Sequence, residues 1–165
     1  MSKRILIDPQ AFTAERGQIQ GKVRLQDLDE RVHSADFTDL SSEVAYKLQG
    51  GTDKWQRPFL RLSLSGSLSL QCQRCMEAVM FPLDESADIV LFGDEAKLDE
   101  AMCADEELEG MVAGSELDVS SLLEDQILMS LPYSPMHEDC GRAVAGPVSG
   151  KPNPFAVLAG LKKSD

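Results

Sequence analysis

The clearest pattern along the chain is the alternation of leucine with polar residues in residues 59–73, FLRLSLSGSLSLQCQ. A period of two places the leucines on one face of a β-strand and the serines on the other. The sequence therefore predicts a long strand with one buried and one solvated face. Gly66 interrupts the leucine row, which predicts a bulge or a bend at that point.

Further strands are predicted on both sides of this one. They cover residues 4–8, 18–25, 43–49, 77–83, 87–92 and 115–119. Residues 50–55, GGTDKW, predict a turn after residues 43–49, because Gly50 and Gly51 accept a positive φ. Residues 77–83 and 87–92 follow closely with no room for a helix between them, which favours an antiparallel meander.

Helical patterns are fewer and shorter than strand patterns. The best helix covers residues 118–132, where Asp118 or Ser121 can act as N-cap and Leu123, Ile127 and Leu131 recur every fourth position. Shorter helical segments are predicted at residues 9–17 and 26–34. Near the C-terminus, a capping asparagine followed by proline predicts a short helix over residues 153–163.

The expected fold class is α+β, with an antiparallel β-meander or a small partly open barrel and a few short helices. We expect one domain over residues 1–135, which contains a hairpin at 68–83 and an acidic loop at 93–114. Residues 136–165 are expected to form a linker-like extension that ends in the short terminal helix.

Charge is distributed unevenly along a chain whose net charge is −12. Residues 93–114 hold eight acidic residues and one lysine without sustained periodicity, which predicts a mobile loop with room for one fraying helix. An acidic chain is a poor non-specific binder of nucleic acid, because phosphate contacts need lysine and arginine. The acidic segment suits either solvation or a basic partner.

The sequence also excludes several classes of protein. It has no apolar run long enough to span a bilayer and no apolar core of signal-peptide length at the N-terminus, so we expect a cytoplasmic protein without a membrane partner. It has no phosphate-binding glycine loop and no G-x-S-x-G elbow. We therefore expect neither enzymatic activity nor a small-molecule substrate.

The cysteines supply the only candidate chemistry. Cys72 and Cys75 form a C-x-x-C pair between two predicted strands, as in a zinc knuckle. His137 and Cys140 repeat that spacing and could complete a Cys₃His site for a structural zinc ion, with Cys103 as a substitute ligand.

Two alternatives to a metal site stay open. The alternation of the strand places Cys72 on the buried face, where a free cysteine is a common core residue. A redox couple is less favoured, because such pairs lie at a helix N-terminus and the residues after Cys75 predict a strand. In each case other than the redox couple, the cysteine pair clips a hairpin and does not form a reaction centre.

Three stretches resemble a known family. CQRC after the leucine strand, EDQILMSLPYSPMH with a cysteine shortly after it, and KPNPFAVLAGLK near the end together resemble the YceD family of bacterial large ribosomal RNA subunit accumulation proteins. The resemblance is most distinctive at residues 68–83 and 122–162. It implies a role in the synthesis, processing or stability of 23S large-subunit rRNA, and it implies no known catalytic activity.

The expected function is therefore that of a non-enzymatic assembly factor. It would bind a precursor of the large ribosomal subunit, its rRNA or a basic ribosomal protein. On this hypothesis Arg57, Arg61 and Arg74 face RNA, and the C-terminal tail docks as a short helix. The tail residues expected at the interface are Lys151, Asn153, Pro154, Phe155, Leu158, Leu161 and Lys162.

Simpler interpretations of the arginines and the tail stay open beside this hypothesis. The arginines could only keep the sheet soluble, and the tail could pack on its own domain. The alternative function is an acidic, zinc-clipped adaptor that binds a basic protein and is unrelated to ribosomes.

Overall fold

The computed structural model describes residues 4–33, 36–140 and Phe155. Short helices and strands surround one large sheet. The elements are β1 (Leu6–Ile7), α1 (Pro9–Ala14), β2 (Gln18–Arg24), a 3₁₀ helix (Leu25–Asp27), α2 (Glu30–His33), β3 (Glu43–Thr52), β4 (Pro58–Gln71), β5 (Ala78–Phe92), α3 (Glu95–Ala104), β6 (Glu109–Val112), β7 (Leu117–Asp118) and α4 (Val119–Ser130).

The large sheet has the strand order β2-β3-β4-β5-β6. Its first four strands are antiparallel, and β6 pairs with β5 in the parallel direction. β1 and β7 form a separate antiparallel pair. The α+β class is confirmed, and the described strands form an open meander with one parallel edge strand, not a closed barrel.

The leucine face of β4 is the centre of the core, as the alternation predicted. All five leucines of that face are at most 2% exposed: Leu60, Leu62, Leu64, Leu68 and Leu70. Each contributes about 2 kcal/mol by leaving water. Helix α4 joins the same hydrophobic cluster through Val119, Leu122, Leu123 and Ile127.

Helix α4 begins and ends close to the predicted positions. The Asp118 carboxylate caps it by accepting a hydrogen bond of 2.9 Å from the backbone N–H of Ser120. The predicted helix at residues 26–34 divides into the 3₁₀ helix and α2. The predicted terminal helix at 153–163 lies outside the described residues except for Phe155.

The glycines act differently from the prediction. Strand β3 continues through Gly50 and Gly51 to Thr52, so the turn predicted over residues 50–55 begins later than predicted, at Asp53. A Cβ on Gly50 would lie 2.7 Å from the Phe12 carbonyl oxygen, so this glycine allows α1 to pack closely on β3. The residue of the following turn with a positive φ is Gln56, at 63°.

Gly66 also serves a close approach. The pairing of β4 with β5 continues through it without a break, so the predicted bulge is wrong, and the pairing of β4 with β3 ends at this residue. A Cβ at this position would lie 2.8 Å from the carbonyl oxygen of Glu43.

The two strands predicted at 77–83 and 87–92 are one strand, β5. Its polar middle, Asp84 to Ser86, resembles a turn in sequence but pairs with Ser63 to Ser65 of β4. The hydroxyl oxygens of Ser63 and Ser86 lie 3.2 Å apart. Asp84 and Ser86 lie opposite Ser65 and Ser63 of β4, and the strand continues between them without a turn.

The acidic segment at 93–114 forms one helix, for which the prediction left room, and also a strand, which was not predicted. The Asp94 carboxylate caps α3 by accepting a 2.9 Å hydrogen bond from the backbone N–H of Lys97, and β6 follows at the sheet edge. Helix α3 has no buried residue, which explains why its sequence shows no amphipathic period. β6 is only four residues long and depends on its partner β5 for its hydrogen bonds.

Candidate metal centre

The hairpin between β4 and β5 has the shape of a metal-binding knuckle. The backbone N–H of Cys72 donates to the Glu77 carbonyl at 2.8 Å, and that of Met76 donates to the Cys72 carbonyl at 2.9 Å. Met76 closes the turn with a φ of 65°. This turn brings Cys72 and Cys75 to the same end of the hairpin.

The chain returns to this hairpin after α4. The backbone N–H of Gln73 donates to the Pro135 carbonyl at 2.8 Å. The Arg74 guanidinium donates to the Cys140 carbonyl and lies 3.6 Å from the Met136 sulfur. Residues 136–140, the start of the predicted linker-like extension, therefore contact the hairpin. The predicted division near residue 135 stays a prediction.

Four side chains meet at this junction. The ligand atoms of Cys72, Cys75, His137 and Cys140 all lie within 4.8 Å of one another. The sulfurs of Cys72 and Cys140 are 3.3 Å apart, and the Cys75 sulfur is 3.3 Å from His137 Nδ1. In a tetrahedral zinc site with Zn–S bonds near 2.3 Å, neighbouring sulfurs lie about 3.8 Å apart. The four residues are thus close enough to bind a metal ion.

A hydrogen bond from Nε2 of His137 orients the ring so that Nδ1 can bind a metal ion. Nε2 lies 2.9 Å from the Ala78 carbonyl oxygen, which can only accept, so Nε2 carries the proton. The free lone pair is then on Nδ1, which faces the cysteines. A hydrogen bond of this kind is the usual outer support of a histidine ligand.

The local electrostatics favour a thiolate at Cys72. Burial raises the pKa of this thiol, but backbone N–H groups of Cys75, His137 and Arg74, with the Cys140 side chain, lower it to about 5. The Cys72 side chain and the Ala78 carbonyl raise the pKa of His137. Burial and the neighbouring Cys72 raise the pKa of Cys140. A cysteine binds metal as the thiolate, so the lowered pKa of Cys72 favours metal binding.

The structure also bears on the other hypotheses for the cysteines: a buried thiol, a substitute ligand and a redox couple. Cys72 is fully buried, as the alternation predicted, and it also belongs to the four-residue cluster. Cys103 is exposed on α3 and lies outside that cluster, so it is not needed as a substitute ligand. The residues after Cys75 lead into β5 and not into a helix, in contrast to the arrangement expected for a redox couple.

The three arginines predicted to face RNA do not share one surface. Arg57 and Arg61 line a groove of about 470 Å³ that also contains Trp55. Arg74 lies beyond the other end of β4, a strand of 14 residues that spans about 45 Å.

Acidic neighbours already engage the two arginines of the groove. Arg57 Nε lies 2.8 Å from Asp53 Oδ2. Arg61 holds both oxygens of Asp88 at 2.6 Å, and its guanidinium lowers the pKa of that carboxyl group. RNA binding by these arginines stays a prediction.

The remaining part of the predicted interface, the C-terminal tail, is described only at Phe155. Phe155 is 69% exposed, and the other predicted tail residues lie outside the described ranges. The sequence reasoning missed Trp55, whose ring is 62% exposed and lies 4.0 Å from the Lys54 ammonium. The signal was available in an aromatic residue set among cations, KWQR.

No helix of the described ranges is both apolar enough and long enough to cross a membrane.

Fold and site together define a small α+β protein in which three cysteines and a histidine, from a β-hairpin and a distant segment, lie close together. Residues 60–162 match the sequence model of the family described as large ribosomal RNA subunit accumulation protein YceD. The chain belongs to this family.

The comparison with individual proteins agrees with the family match. A Haemophilus influenzae protein named large ribosomal RNA subunit accumulation protein YceD is 33% identical over 106 residues, which cover 58% of this chain and 60% of that protein. The chain thus matches about 60% of the length of this curated relative. No solved structure matches the chain.

Proposed function

We propose that this protein is a non-enzymatic, cytoplasmic factor for the synthesis, processing or stability of 23S large-subunit rRNA. It acts by binding a precursor of the large ribosomal subunit, through the rRNA or through a basic ribosomal protein. The observation that carries this proposal is the family match over residues 60–162, because the family is named for accumulation of that RNA.

A structural zinc ion is part of the proposal. Cys72, Cys75, His137 and Cys140 would hold it, and the ion would supply a fixed cross-link between the hairpin and the segment after α4. The close approach of four suitable ligand atoms supports this assignment. Four protein ligands leave no open position for a substrate, so the role is structural.

The acidic charge at one edge of the sheet suits a basic protein partner. Residues 93–114 now form α3 and β6 at one edge of the sheet, with their eight acidic side chains. This edge is the proposed contact for a basic ribosomal protein. The alternative function, an adaptor unrelated to ribosomes, would use the same edge but receives no support from the comparisons.

The amount of large-subunit rRNA tests the proposed function. In bacteria that lack this protein, we expect the ratio of 23S rRNA to small-subunit rRNA to fall. A plasmid with the wild-type gene should restore the ratio, and the empty plasmid should not. An unchanged ratio, together with a protein partner that stays bound after RNase treatment, would favour the adaptor instead.

A further inference from the structure

The five-stranded sheet separates charge between its two edges. At the β2 edge, residues 16–24 contain Arg16, Lys22 and Arg24 and no acidic residue, although the whole chain carries a net charge of −12. At the opposite edge, the segment that forms α3 and β6 has eight acidic residues and one lysine. The fold therefore gives an acidic protein one locally cationic edge.

Lys22, Arg24 and Lys47 share one face of the sheet. Lys22 pairs with Ala45 of β3, so Lys47 lies diagonally next to it on the same face, about 7–8 Å away. Arg24 follows Lys22 by two residues, which is about 7 Å along a strand. Val44, Tyr46 and Leu48 of β3 point to the opposite, buried face.

One carboxylate moderates this cationic group. Glu43 lies 2.9 Å from Lys22 Nζ and raises the pKa of that lysine. Both side chains are more than 40% exposed, so the ion pair contributes little to stability and can open when a stronger anion arrives. Three cations and one carboxylate leave this part of the face positively charged.

Polar groups surround a depression next to the cations. It has a volume of about 290 Å³, and small residues of β3 and β4 face it together with longer polar side chains. Its lining includes Gln20, Ala45, Lys47, Ser63, Ser65 and Asp84. Hydroxyl and amide groups can hydrogen-bond to ribose hydroxyls, which distinguish RNA from DNA. Asp84 limits the cationic zone on the β5 side.

We propose that the solvent face of β2 and β3 binds the sugar-phosphate backbone of RNA, with Lys22, Arg24 and Lys47 as the phosphate contacts. The inference rests on the proposed function for its choice of RNA. The placement of the contact on these residues does not come from the family match, because they precede the matched range 60–162. The acidic α3–β6 edge repels phosphate, so the RNA approaches from the β2 side.

Binding to purified, protein-free 23S rRNA tests this surface. The variant Lys22→Gln/Arg24→Gln/Lys47→Gln should bind at least about tenfold more weakly at 0.1 M salt, because it loses three phosphate contacts. The slope of log affinity against log salt should become shallower by about 2. Thermal unfolding of each variant checks that the fold is retained.

A matched pair of single variants controls for net charge. Lys47→Gln and Lys97→Gln remove the same charge, but Lys97 lies on the acidic edge. We expect weaker RNA binding for Lys47→Gln alone. Equal effects of the two variants, or a triple variant with wild-type affinity, would overturn the proposal.

The failure of this proposal can be separated from the failure of the proposed function. If the wild-type protein binds no RNA but its absence still lowers the ratio of 23S rRNA, the RNA-binding face is wrong and the proposed function stands. Binding of the cationic edge to an acidic protein in place of RNA would also overturn the proposal.

Discussion

Replacing Cys72 with serine is expected to abolish zinc binding and to lower the free energy of unfolding by about 3 kcal/mol. The proposed ion joins the hairpin to His137 and Cys140, so it closes a loop of more than 60 residues. The ion binds the folded chain and not the unfolded chain, so its binding free energy adds to the stability of the fold and is lost when a ligand is removed. Cys72 is also buried, so the substitution places a hydroxyl group in the core.

The measurement combines metal analysis of the purified protein with urea unfolding. We expect about one zinc ion per wild-type chain and none for Cys72→Ser. Cys103→Ser is the matched control, because Cys103 is exposed and lies outside the cluster. It should retain zinc and change stability by less than about 0.5 kcal/mol. A wild-type protein that contains no zinc and gains no stability from added zinc would contradict the metal assignment.

Replacing Glu124 with alanine should destabilise the fold by about 2–3 kcal/mol. Glu124 is only 4% exposed, although it lies on α4 with a charged side chain. One carboxylate oxygen accepts from the backbone N–H of Asp29 at 3.0 Å, and the other accepts from Arg31 at 2.9 and 3.0 Å. Removal of the Glu124 carboxylate leaves the Asp29 N–H without this acceptor and takes two hydrogen bonds from Arg31.

Asp125→Ala is the control for this prediction. Asp125 binds the same arginine at 2.6 Å, but its side chain is 57% exposed. Loss of an exposed ion pair costs at most about 1 kcal/mol. Glu124→Gln should fall between the two, because an amide oxygen can still accept from Asp29. Equal stabilities of the Glu124→Ala and Asp125→Ala variants in urea unfolding would contradict the importance of burial.

The sequence was most informative where the pattern is local. The alternation in residues 59–73 predicted the strand, its buried face and the burial of Cys72. Helix α4 was equally predictable, because its cap and its apolar stripe lie close together, within residues 118–131. The four candidate ligands were grouped by their equal spacing, and the structure brings all four together.

The features that were missed depend on distant partners. The middle of β5 is a strand because it pairs with the serines of β4, and β6 exists because β5 offers it an edge. The Glu124–Arg31 contact joins residues 93 positions apart, so no local pattern could show it. The arginines predicted to face RNA were chosen by residue type, and their acidic partners Asp53 and Asp88 emerge only from the fold.

Sedimentation of the native protein in a sucrose gradient of bacterial lysate tests the central claim most directly. At low salt, the protein should comigrate with free large ribosomal subunits or their precursors. At moderate salt the protein should move to the top of the gradient, because screening weakens phosphate contacts. A protein found only at the top under both conditions would contradict binding to the large-subunit precursor.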